Sequence, residues 1–196
     1  SYITPISNDS LGNILASRLE ADGVKVFAPR VQEPTSLAVV SLNDGQPSYQ
    51  FYRADTAERK ITSQILNEIN PASIKIFHVG SIALIDGQDA DLWEQKFCEL
   101  GEQGVITSLD PNIRELLVKN KQHYLDRLKR MSKYANILKL SDEDLNYMVP
   151  EVSLDDAFDE ICKTTAAEII VLTMGEKGAR VKKGEHSFEV SASVCD

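Results

Sequence analysis

The sequence predicts an α/β protein with a doubly wound, mostly parallel sheet flanked by helices and a small β-hairpin set into it. Three observations carry this. Short β-prone apolar runs at 74–79, 105–109, 137–140 and 169–173 alternate with longer stretches whose apolar residues recur at helical spacing, and parallel neighbours need such crossovers. Each run ends in a small, polar or charged cluster: Gly80-Ser81, Asp110-Pro111-Asn112-Ile113-Arg114, Ser141-Asp142-Glu143-Asp144, and Thr173-Met174-Gly175-Glu176-Lys177-Gly178. Open α/β sheets bind ligands outside the carboxyl ends of their strands, so the clusters point to one shared site. Lastly, Asn43-Asp44-Gly45 separates two β-prone runs, 36–42 and 48–53, a hairpin signal because these residues tolerate positive φ.

In chain order, 3–6 reads as the tail of a strand. Asn8, Asp9 and Ser10 offer N-cap oxygens before Leu11, Ile14, Leu15 and Leu19, which recur at helical spacing, and Asp22-Gly23 closes that helix. A strand is expected at 24–27, followed by the hairpin. Helices are expected over about 89–100 (Trp93, Phe97, Leu100), 115–133 (Leu117, Leu125, Leu128, Met131) and 153–164. A second hairpin, 179–183 with 187–190, turns around Gly184.

Composition bounds the function. A chain of 196 residues with 42% hydrophobic content supports one main domain, spanning 1–196 with the hairpin region, 25–56, inserted in it. A net charge of −9 and a pI near 4.9 argue against a general nucleic-acid or anionic-membrane surface, so anionic ligands must be held by local geometry. Cys98, Cys162 and Cys195 are far apart, which suggests neither a disulfide framework nor a paired-cysteine metal site and fits reducing cytoplasm. The first residues lack a basic stretch, and no segment approaches the ~20 apolar residues of a membrane span. With no initiator Met and strand-like residues at both ends, the chain reads as an internal piece of a longer protein.

The strand-end clusters have specific chemistry. Asp110, Asn112 and Arg114 bring an acceptor, a bifunctional amide and a fork of donors to one strand end, suited to a polyol or carboxylated sugar and a developing phosphate; a turn with a solvated Arg has the same sequence. Glycines in Thr173–Gly178 let backbone N–H groups approach a phosphate, as they would also serve a plain turn. Ser141 and Asp144 have capping-box spacing, and a capped helix start also favours an anion; both readings stand. Tyr49, Phe51 and Arg53 share one face of a strand, with Gln50 and Tyr52 on the other, which suits a ligand cover or a subunit contact. Gly80-Ser81 lacks a nucleophile-elbow context, and His78, His123 and His186 form no metal cluster or nucleophile–base pair.

Taken in order, these motifs resemble the ribokinase, or phosphofructokinase-B, family of sugar kinases, and its fructokinase-like and 2-keto-3-deoxygluconate-kinase-like members in particular. Asn8-Asp9-Ser10-Leu11-Gly12 with Leu19 and Gly23-Val24 is similar to the family's early D-x-x-G helix. Thr35 and the hairpin ending Tyr49-Gln50-Phe51-Tyr52-Arg53-Ala54-Asp55-Thr56-Ala57 are similar to its sugar-covering lid. Asp110 to Arg114 matches D-x-N-x-R, Lys139 to Asp144 stands where the family has K-x-N-x-x-E, and Leu172 to Ala179 matches the T-x-G-x-x-G-A nucleotide loop. The departures are Ser141 for the amide and Asp144 for the longer carboxylate.

The resemblance implies a ribokinase-like fold and ATP-dependent transfer of the γ-phosphoryl group to a sugar's primary hydroxyl, fructose being the first choice. Phe51, Arg53, Asn112 and Arg114 would bind the sugar. Lys139, Ser141, Thr173, Gly175 and Gly178 would bind the nucleotide, and Asp144 the Mg²⁺. A homodimer through the lid is implied, with no nucleic-acid or membrane partner. No catalytic residue is expected inside this stretch: the family's glycine-rich first segment would precede Ser1, and its G-A-G-D anion hole and general base would follow Asp196, leaving the piece itself inactive. Two alternatives remain, a 2-keto-3-deoxygluconate kinase, compatible with Arg53, Arg59 and Arg114, and a sugar- or nucleotide-binding regulatory module without turnover.

Overall fold

The computed structural model describes residues 1–43 and 46–193. The expected hairpin tip at Asp44-Gly45, and Val194, Cys195 and Asp196, lie outside the described residues. The chain forms two compact units, Ser1–Glu68 and Ile69–Asp196.

In the first unit, β1 (Ile6–Ser7) is followed by α1 (Ser10–Ala21) and pairs in parallel with β2 (Arg30–Val31). The strand expected at 24–27 is reduced to a single bridge between Tyr2 and Val26. Asp9 caps α1, accepting from the Gly12 N–H at 2.7 Å, and also accepts from the Thr35 N–H at 2.8 Å and the Thr35 hydroxyl at 2.7 Å. These bonds, led by that from Gly12, hold its carboxyl far below the usual carboxylate range. The apolar stripe of α1 does not form the inner face: Leu11, Ile14 and Leu15 are exposed, while Gly12 and Ala16 are buried. A Cβ at Gly12 would lie 2.1 Å from the Ser7 carbonyl oxygen, so the helix reaches β1 only through its small residues.

The hairpin forms as expected, from β3 (Leu37–Asn43) and β4 (Gln46–Tyr52) in antiparallel register, with Ala38 opposite Phe51 and Val40 opposite Tyr49. The Tyr49 and Phe51 rings stack with centroids 6.2 Å apart, as their shared face requires. Apolar side chains are exposed on both of its faces: Leu37, Val39 and Tyr52 on one, Val40 and Tyr49 on the other. A short α2 (Ser63–Asn67), capped by the Thr62 hydroxyl, follows.

The second unit alternates as read: β5 (Ile76–Gly80), α3 (Gly87–Glu102), β6 (Ile106–Asp110), α4 (Lys121–Ser132), β7 (Ile137–Ser141), α5 (Asp142–Met148), α6 (Leu154–Thr164), β8 (Ile169–Thr173), then β9 (Ala179–Lys183) and β10 (His186–Val190). The sheet order is β10-β9-β8-β7-β6-β5, with β5 to β8 parallel and β9 and β10 antiparallel. Because successive parallel strands step in one direction, right-handed crossovers put their helices on one face. Burial agrees: Phe77, Val79, Thr107, Leu109, Leu138, Leu140, Ile170 and Leu172 are buried, whereas Ile76 and Ile106 of the opposite face are exposed. Under the helices, Arg127 of α4 is fully buried, donating to Glu94 of α3 at 3.0 Å and to the Leu84 carbonyl at 2.8 Å and pairing with Asp91. A charge so placed requires partners of this kind.

Two helix boundaries differ from expectation. The stretch 115–133 divides into a 3₁₀ turn at Glu115–Leu117 and α4, because the Asn120 side chain accepts from the His123 N–H and starts a new helix there. The seven-residue α5 directly after β7 was legible only as its capping box.

Candidate active site

Strand register brings the expected polar clusters to one edge of the second unit. Gly80 pairs with Asp110 across β5 and β6, and Ser141 with Thr173 across β7 and β8; Lys139, one register step past the Leu109–Leu138 pair, reaches back to the Asp110 carboxylate at 3.3 Å. A Cβ at Gly80 would sit 2.0 Å from the Asp110 carbonyl oxygen, so glycine is required for the strand ends to close up. Ser81 and Asn112 take positive φ, 54° and 39°, at the two places where the chain turns away from β5 and β6. Asn tolerates this region and Ser does so at some cost; such outliers gather at functional sites.

Asp144 joins two of the clusters. It is 2% exposed, and its Oδ1 accepts from the Ile113 N–H at 2.7 Å while Oδ2 accepts from the Ser141 N–H at 2.8 Å. The Ser141 hydroxyl in turn accepts from the Asp144 N–H at 3.0 Å, which completes a capping box at the start of α5. The capping-box reading of Ser141 and Asp144 is thus seen in α5, and the same carboxylate also fixes the backbone of the Asp110–Arg114 loop. As a direct metal ligand Asp144 fits poorly, since both oxygens already serve backbone donors. Among the described residues, no group of three or more His, Cys, Asp or Glu is arranged to hold a metal ion.

The charge at the α5 start is set by its own side chains. Its first turn carries Asp142, Glu143 and Asp144, so negative charge already complements the helix dipole. Lys139, on the strand that leads into α5, is paired with Asp110.

Arg114, half-buried, donates to the Ile113 carbonyl at 3.3 Å. The loop after β8 is held by hydrogen bonds from the Met174 N–H to the Gly178 carbonyl at 2.8 Å and from the Gly178 N–H to the Gly175 carbonyl at 3.0 Å, with the Thr173 hydroxyl donating to the Leu140 carbonyl at 3.3 Å. Its two glycines differ in role. Gly175 (φ 55°) faces open space, as a ligand-facing backbone would, whereas Gly178 (φ 89°) is pressed on by the Val190 carbonyl, 2.0 Å from where a Cβ would stand. Phe51 and Arg53 belong to the first unit, where Arg53 is buried and pairs with Glu58 at 3.2 Å.

Sequence reasoning missed Tyr124, fully buried on α4, whose hydroxyl has no hydrogen-bond partner. Burial, with the Asp144 charge nearby, pushes its phenol well above the usual range. Its spacing of four from Leu128 on the inner stripe of α4 was the available signal.

The four parallel strands thus set a D-x-N-x-R loop, a Lys–Asp pair and a glycine-bearing turn at adjacent strand ends of one sheet. Comparison with known proteins identifies the family. Residues 1–194 match the family model described as pfkB family carbohydrate kinase, and the chain belongs to that family. It is 34% identical over 183 residues to a fructokinase of Rhizobium leguminosarum bv. trifolii, a match covering 91% of this chain and 54% of that protein, and 29% identical over 182 residues to fructokinase-2 of Solanum lycopersicum, covering 91% and 55%. The chain thus spans about half the length of the curated relatives it matches. Among solved structures, fructokinase from Xylella fastidiosa superposes with a TM-score of 0.85 at 22% identity, covering 98% of this chain and 61% of that one. A fructokinase from Vibrio cholerae O395 in a fructose-, ADP- and calcium-bound form gives 0.83 at 24%, covering 99% and 63%. The fold is that of these kinases.

Proposed function

We propose that the protein carrying this chain is an ATP-dependent sugar kinase acting on a primary hydroxyl, with fructose as its substrate. The observation that carries the proposal is the strand-end edge of the second unit, where Asp110–Arg114, Lys139–Asp144 and Thr173–Gly178 adjoin. Phosphoryl transfer demands positioning and charge stabilisation more than covalent chemistry, and this edge offers backbone donors, a lysine and a guanidinium. In this reading Asn112 and Arg114 bind the sugar, as do Phe51 and Arg53 of the lid within 25–56. Lys139, Ser141, Thr173, Gly175 and Gly178 bind the nucleotide. Mg²⁺ arrives with ATP as part of the substrate, and any contact of Asp144 with it runs through water. The proton acceptor is assigned to no residue of this chain.

The relatives' names support fructose, and the fructose- and ADP-bound neighbour supports the pairing of ligands. No helix among the described residues is long and apolar enough to cross a membrane, and a cytoplasmic location follows from the metabolite substrates proposed. The exposed apolar faces of the hairpin support a homodimer through the lid, which sedimentation of the full-length protein as a monomer at micromolar concentration would contradict. The kinase reading is tested by coupled ADP release from the full-length protein over a panel of sugars. Fructose-dependent release is expected; release with none of the sugars contradicts it, and a strong preference for 2-keto-3-deoxygluconate reassigns the substrate.

A further inference from the structure

Besides the Tyr124 hydroxyl in the second unit, two side-chain atoms among the described residues are buried without a hydrogen-bond partner, and they sit on residues already joined to each other. Arg53, directly after β4, is 7% exposed, and its Nε donates to Glu58 Oε1 at 3.2 Å. Arg53 Nη2 and Glu58 Oε2 are the orphans. One is a donor only and the other, as a carboxylate oxygen, an acceptor only. Buried groups of this kind are normally paired, and an exception calls for an explanation such as a missing ligand.

The turn that carries the pair is stiff. The Thr56 hydroxyl donates to the Arg53 carbonyl at 2.9 Å, the Ala57 N–H to the Pro34 carbonyl at 2.9 Å and the Arg59 N–H to the Thr56 carbonyl at 3.1 Å, with Asp55 at φ 52°. The turn thus fixes the backbone from which the two side chains project, and their mutual bond joins them.

We propose that Glu58, acting with Arg53, reads a sugar hydroxyl and sets the specificity of the kinase for neutral sugars over carboxylated ones; this rests on the sugar-kinase reading above. A hydroxyl both donates and accepts, so one hydroxyl or two neighbouring ones satisfy Nη2 and Oε2 together. A carboxylate can accept from Nη2 but has no proton for Oε2, and it would bring a like charge against Glu58 in a poorly solvated place. Glu58 also neutralises Arg53, which an arginine alone would leave free to attract a sugar acid. A bare count of arginines in this region therefore overstates its affinity for acidic sugars.

The test is steady-state kinetics of the full-length protein with fructose and with 2-keto-3-deoxygluconate, for the wild type, Glu58→Gln and Glu58→Asp. Wild type is expected to favour fructose. Glu58→Gln removes the charge at near-constant shape, so the ratio of kcat/KM for fructose to that for the acid should fall about tenfold or more, the size of one charged hydrogen bond and its repulsion. Glu58→Asp keeps the charge but withdraws the acceptor, so the fructose KM should rise about tenfold while the acid stays excluded. A pair that serves folding alone would change both sugars alike. If wild type favours fructose and the two ratios match the wild-type ratio, or if wild type favours the acid, the inference is overturned while the kinase reading stands. Wild type that phosphorylates neither of these but another sugar of the panel overturns the inference alone, and phosphorylation of no sugar overturns both.

Discussion

At the residue scale, the most informative side chain is Asp144. Its carboxylate accepts from Ile113 of one strand-end loop and from Ser141 of the next, so it couples the proposed sugar-binding loop to the start of α5. Asn at this position keeps one acceptor and turns an NH₂ toward the other backbone N–H, leaving that donor unsatisfied. Asp144→Asn in the full-length protein should therefore lose about 1–3 kcal/mol of stability and raise the KM for sugar, read by denaturant unfolding and steady-state kinetics; unchanged stability would contradict the assigned bonds. The residue types were legible in the sequence, since Ser141 and Asp144 stood at capping-box spacing. The partner was not, because the Ile113 N–H lies 31 residues away and only the strand order brings it near. For the same reason the Arg53–Glu58 pair was half seen: alternation along β4 marked Arg53, but the turn that returns Glu58 beneath it has no periodic signature.

Element boundaries tell a similar story. The four parallel strands were legible because buried runs ending in polar clusters leave few other readings. Helix α4 was drawn too long because the apolar pattern continues through Leu117, and the break depends on one capping side chain, Asn120. For α1, the cap was legible and the buried face was not. Leu11, Ile14 and Leu15 recur at helical spacing, yet the buried residues are Gly12 and Ala16, and Ser7 lies so close to Gly12 that only glycine fits there. The cap itself makes a pH-dependent contribution. Asp9 is held below its ordinary 3.8 in the folded chain, so the stability it adds is full above that value and declines as pH falls from there toward the lowered one. The Tm advantage of wild type over Asp9→Asn should be larger at pH 7 than at pH 3; an equal difference at both would contradict the charged cap.

Across the whole molecule, the central claim is a division of labour along one sheet edge: sugar at the Asp110–Arg114 loop, nucleotide at Lys139–Ser141 and the Thr173–Gly178 turn, with Asp144 tying the two. The sequence order of the motifs made this edge legible, since a parallel sheet stepping in one direction sets consecutive strand ends side by side. The single helical layer of the second unit was not legible, because a half-exposed face bearing Ile76, Ile106 and Val171 reads in sequence like a covered one. Hydrogen exchange of the full-length protein measured by mass spectrometry tests the claim most directly. MgATP should protect the backbone of 139–144 and 173–178, and fructose that of 110–114. Protection by MgATP that leaves 173–178 unchanged, or fructose protection that bypasses 110–114, would contradict it.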